Sequence, residues 1–84
     1  MKATDTRESI AETVTGLVRQ AVGDVADDTD LRTIEGVDSI KILRVVAAIE
    51  RTYDIELEDE EIFAFKTIDD VVRSVQTAVE AQGI

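Results

Sequence analysis

The chain has 84 residues and carries 19 Asp and Glu against 9 Lys and Arg, a formal net charge of −10, with no Cys, His, Pro or Trp. One small domain spanning residues 1–84 is the expectation at this length. Disulfide frameworks and thiolate sites are excluded, as are His-based metal ligation and acid–base catalysis. The acidity argues against nucleic acid and anionic membrane as partners, because both require a cationic face.

The first periodic segment is Ile10, Val14, Leu17 and Val18, with Ala21 a turn further on, one apolar stripe of a helix from about Asp5 to Val22. Gly23 is its expected stop. Residues 24–38 read as a long acidic loop with Leu31, Ile34 and Val37 as apolar anchors after Val25. Ile42, Val45, Val46, Ile49 and Tyr53 then share one face of a second helix, Ile40 to Tyr53, with Lys41, Arg44, Ala48 and Arg51 away from it. Asp54 to Asp59 is a second connection, alternating only briefly. Glu60 to Phe65 has room for one or two helical turns. Thr67-Ile68-Asp69-Asp70 reads as a capping box with Asp in place of Glu. It opens a last helix, striped by Ile68, Val71, Val72, Val75 and Val79 and ending near Ala81. The expected fold is all-α: a four-helix bundle of three main helices and a short third one. The stripes are used up between the helices, which predicts a monomer. No signal peptide or apolar membrane-length run is visible, so the chain reads as a free-standing cytoplasmic protein.

Three constellations invite chemistry. The acidic loop fails as an EF-hand in either register: starting at Asp28 puts Arg32 at position five and Ser39 at position twelve, and starting at Asp24 puts Ala26 at position three. No metal site is expected there; a solvated acidic loop is the plain reading. Glu58 to Glu61 are consecutive and point in different directions, so they suit a charged helix start better than an acid–base pair. Ser39 follows Asp38 where the long loop meets the second helix. Such a Ser is ordinarily a cap, and with no His to activate it no catalytic residue is expected. Its setting, behind Gly36 and beside Ile40, also suits a hydroxyl that carries a phosphodiester, whose charge a helix N-terminus favours.

Gly36-Val37-Asp38-Ser39-Ile40 resembles the attachment motif of acyl carrier proteins, usually Gly-x-Asp-Ser-Leu. The similarity extends through Ile42 to Glu50 as the second helix, the Tyr53-Asp54-Ile55-Glu56-Leu57 turn, Glu60-Glu61 at the start of the third helix, and Lys66 to Asp70 at the start of the fourth. The resemblance implies a carrier and not an enzyme. Ser39 would receive 4′-phosphopantetheine from coenzyme A through a magnesium-dependent phosphopantetheinyl transferase, and the arm's thiol would hold an acyl group as a thioester. Asp38 would cap the second helix, help present Ser39 and approach the transferase's metal. Leu43, Ile62 and Phe65 would line a gap that shelters the acyl chain, or else complete a small core. Ile40, Lys41, Leu43 and Arg44 would meet the partners: acyl-loading and chain-elongating or tailoring enzymes.

The sequence departs from the pattern where Lys41 and Arg44 take outward positions that are typically acidic in fatty-acid carriers. Residues 39–53 hold three cations against Glu50, a net of +2. Charge reversal at a steered surface changes the partner. The expectation is therefore a discrete polyketide-type carrier of secondary metabolism. A peptidyl or aminoacyl carrier is the alternative within the family, although Val37 stands where such carriers usually have a second Gly. A non-modified acidic helical adaptor is the alternative outside it.

Overall fold

The computed structural model describes residues 6–82. It contains α1 (Thr6–Val22), α2 (Ser39–Tyr53), α3 (Asp59–Ala64) and α4 (Ile68–Gln82), with a 3-10 turn at Leu31–Thr33 and no strand among the described residues. The expected layout holds, and the predicted start at Asp5 lies outside the described residues. No described helix is long and apolar enough to cross a membrane.

The core is made by the stripes that the spacing marked. Ile10, Val14 and Val18 of α1, Val45, Val46 and Ile49 of α2, and Ile68, Val71, Val72 and Val75 of α4 are all buried. Each set recurs every three or four residues, so each helix turns one apolar face inward. α1 packs most extensively on α4 and then on α2. Leu57, Ile62 and Phe65 close the core from the connection after α2 and from α3. The short alternating stretch 54–58 is a connection, not a strand: Asp54 takes the left-handed conformation at φ 55° and ends α2, with the Ile55 N–H on the Glu50 carbonyl at 3.1 Å. Two outward assignments shift by degree, since Ala48 and Lys41 are half-buried.

One polar residue sits in the apolar face of α4. Gln76 is buried, its Nε2 donates to the Arg7 carbonyl at 2.9 Å, and Arg7 returns a bond to its Oε1 at 3.4 Å. Arg7 also pairs with Glu80. These contacts clasp the start of α1 to the end of α4.

The capping box at α4 forms as the sequence indicates. The Asp70 N–H donates to Thr67 Oγ1 at 3.2 Å, and Asp70 Oδ2 accepts from the N–H groups of Lys66 and Thr67 at 2.9 and 3.2 Å. The Lys66 amide bond, joined by those from Thr67 and Arg73, holds the Asp70 carboxyl below its ordinary value of 3.8. A carboxyl lowered by folding stabilises the native state above its unfolded pKa, and that contribution is lost as pH falls through the folded value. Asp70→Asn is therefore expected to lose about 1 kcal/mol at neutral pH, the scale of a helix cap. The gap from wild type should narrow as pH falls below the ordinary carboxylate range. Urea unfolding of both proteins, followed by far-UV circular dichroism at neutral and acid pH, checks this.

Candidate functional site

The loop that leads to Ser39 is pinned at both ends and in the middle. At its start Gly23, at φ 102°, turns the chain out of α1 while its N–H donates to the Arg19 carbonyl at 2.8 Å. Positive φ is the conformation that favours Gly at such a stop. The Arg19 side chain then holds the Val25 carbonyl and the Asp27 carboxylate, both at 3.0 Å.

The middle of the loop is not the featureless connection that its composition suggests. Asp30 caps the 3-10 turn: Oδ1 accepts from the Arg32 N–H at 3.0 Å and from Arg32 Nε at 3.1 Å, and Oδ2 accepts from Arg32 Nη2 at 3.1 Å. The Arg32 side-chain bond is the chief cause that holds the Asp30 carboxyl below its usual range. Leu31, between them, is buried at 2% exposure, and its N–H donates to the Lys66 carbonyl at 2.7 Å. The Asp69 N–H reaches the Asp27 carbonyl at 3.3 Å. The loop is thereby sewn to the junction between α3 and α4. Of the three anchors expected for this loop, Leu31 is buried and Ile34 and Val37 are half-buried.

Gly36, at φ 89°, makes the final turn into α2. Asp38 is the N-cap, in extended conformation, and its Oδ1 accepts from the Lys41 N–H at 2.9 Å. Ser39 is the first residue of α2 and its side chain is exposed. The cap is thus Asp38, which leaves the Ser39 hydroxyl available. An exposed hydroxyl on the first turn of a 15-residue helix suits a bulky phosphodiester sterically, and the helix terminus suits its charge.

Ser39 stands on the edge of a cleft of about 240 Å³ between α2, α3 and the 3-10 turn. Ile42 and Leu43 of α2 line one side, Ile62, Phe63 and Phe65 the other, and Leu31, Arg32, Val37 and Asp38 the loop side. The three expected pocket residues, Leu43, Ile62 and Phe65, are brought together. Ile62 and Phe65 are buried in the core and also line the cleft. Leu43 is half exposed at the rim. Phe63, 78% exposed, is the cleft residue that sequence reading misses, because a six-residue helix is too short for its outward face to show as a period. Arg32, Val37 and Leu31 escape it as well, since no spacing rule says which loop residues turn towards a neighbouring helix.

With Ile40 at 61% exposure, Leu43 and Phe63 give the mouth of the cleft an apolar rim that the helical stripes leave over. Beside it stand the cations of α2. Among the described residues, Arg7, Arg19, Arg32 and Arg73 each have a carboxylate within salt-bridge distance. Lys41, Arg44 and Arg51 have none, and nor does Lys66 outside α2, in a chain with 19 acidic residues. The consecutive acids at the start of α3 serve the backbone: Glu61 Oε1 accepts from the Glu58 N–H at 3.2 Å.

Comparison with known proteins agrees with this geometry. The family model described as the phosphopantetheine attachment site matches residues 8–75. An acyl carrier protein of Exiguobacterium sp. (strain ATCC BAA-1283 / AT1b) is 30% identical over 73 residues, 87% of this chain and 87% of its own length. An acyl carrier protein of Prochlorococcus marinus (strain MIT 9515) is 28% identical over 74 residues, 83% of this chain and 92% of its own. One of Wolinella succinogenes is 40% identical over 42 residues, 50% and 55% of the two chains. The chain therefore belongs to the acyl carrier proteins of the phosphopantetheine-attachment family, and is a carrier with 4′-phosphopantetheine as its cofactor rather than an enzyme.

Proposed function

We propose that Ser39 is the attachment point and that the chain is a polyketide-type carrier that presents acyl intermediates to enzymes of secondary metabolism. What carries the reading is the pairing of an exposed Ser39 hydroxyl, on the edge of an apolar cleft, with a helix whose three cations have no acidic partner among the described residues. The bound arm supplies a thiol, the nucleophile that a chain without Cys lacks.

The protein's own residues do the positioning. Asp38 holds the first turn of α2 by its bond to the Lys41 N–H, so Ser39 is displayed in one orientation to the phosphopantetheinyl transferase. Leu43, Ile62 and Phe65 offer apolar wall to an acyl chain, whose burial is worth about 0.8 kcal/mol per methylene. Ile40 and Leu43 form the apolar centre of a docking face, and Lys41 and Arg44 supply its charge. Unpaired cations on a docking helix select partners with acidic docking patches and repel enzymes that display the basic patches suited to acidic carriers.

The first test is modification. Incubated with coenzyme A and a promiscuous transferase, the protein is expected to gain the mass of one phosphopantetheine, and Ser39→Ala is expected to gain none. An unchanged wild-type mass, or a gain that persists in Ser39→Ala, removes Ser39 as the attachment point.

The second test concerns partner choice. The double variant Lys41→Glu, Arg44→Glu, in holo form, is expected to be loaded at least 10-fold faster by a malonyl transferase of fatty-acid synthesis, the gain shrinking as salt rises. Equal loading of variant and wild type contradicts the assignment to a dedicated pathway.

A further inference from the structure

We propose that Arg32 is the anion-binding residue of the cleft and engages the phosphodiester that joins the arm to Ser39; the proposal rests on Ser39 as the attachment point. Of the described residues that line the cleft, Arg32 is the one cation, and only Asp38 and Ser39 join it as polar members of an otherwise apolar wall. Attachment at Ser39 adds a negative charge next in sequence to the Asp38 carboxylate. Asp38 is committed to the Lys41 N–H and cannot turn away without uncapping α2. The added charge therefore meets repulsion from Asp38, and the cation that lines the same cleft, Arg32, offers relief.

Arg32 is held ready for that role. Asp30 grips its Nε and Nη2, both at 3.1 Å, and its main-chain N–H at 3.0 Å. Two of the five guanidinium N–H groups are so engaged, and the remaining three are free of Asp30. The neighbouring Leu31 locks the turn to the rest of the fold by its burial and its bond to Lys66. An exposed ion pair of this kind adds little to stability. What it does is orient the planar guanidinium, whose fork suits two phosphate oxygens. Arg32 is in this sense a positioning residue: it restrains the base of the arm along the cleft instead of letting it swing from Ser39.

Nuclear magnetic resonance of wild-type apo and holo protein tests this, with intact mass confirming the arm. The Arg32 Nε–H resonance is expected to move on conversion from apo to holo. The ³¹P resonance of the holo protein is expected to move in Arg32→Gln, to return most of the way in Arg32→Lys, and to lose the difference at high salt. Asp30→Asn, which frees the fork without removing its charge, should give a smaller ³¹P displacement in the same direction. An Arg32 Nε–H resonance that stays in place while the mass shows the arm overturns the proposal. So does one that moves only when a malonyl group is loaded, which would assign the cation to the cargo. A ³¹P displacement in Lys41→Gln but not in Arg32→Gln overturns it in favour of Lys41. Failure to gain the arm's mass at all defeats the Ser39 assignment and this proposal with it.

Discussion

The site depends on one attachment: the burial of Leu31 together with its amide bond to the Lys66 carbonyl. A loop from Gly23 to Asp38 that lacked it would have to order its backbone at about 1–2 kcal/mol per residue with little return. Leu31 divides that stretch into two shorter spans and gives each a fixed end. The first span is held by Arg19. The second is short enough that the turn at Gly36 delivers Asp38 and Ser39 to the start of α2 in a set direction. The same anchor joins the loop to the residue that follows Phe65, so the wall of the cleft and the serine beside it share one support.

Charge follows a division of labour. Four of the described arginines are tied to nearby carboxylates and steady the backbone around them. The cations of α2 are kept out of such pairs although acidic residues are plentiful. A net charge of −10 is therefore a poor description of what an approaching protein meets, because residues 39–53 sum to +2 between segments that sum to −5 and −7. At physiological ionic strength the screening length is about 8 Å. A partner at contact distance responds to the local sign of α2, and only at longer range to the chain as a whole.

Most of the fold was legible because the apolar periods of three helices are regular and their ends carry recognisable chemistry: Gly23 as a stop, Asp38 as a cap, Thr67 and Asp70 as a box. The Asp38-Ser39 motif was legible for the same reason, since a cap and an exposed neighbour are local matters. The 3-10 turn was not, because Asp30 and Arg32 form it through side-chain bonds that no apolar period announces. Phe63 and Arg32 escaped as cleft residues because their role is set by what lies across from them. Gln76 escaped for a related reason: it occupies a core position by its spacing, and only its contact with Arg7 explains a polar residue there.

That contact bears on how the molecule assembles. Gln76 and Arg7 are 69 residues apart in the chain. Closing a loop of that length costs about 4 kcal/mol of chain entropy, to which local helix formation contributes nothing. The pairing of α1 with α4 is the least local event in the fold, and α2, α3 and the cleft lie in the sequence between the two. Contacts of such long sequence separation are the kind that slow folding relative to purely local helix pairing.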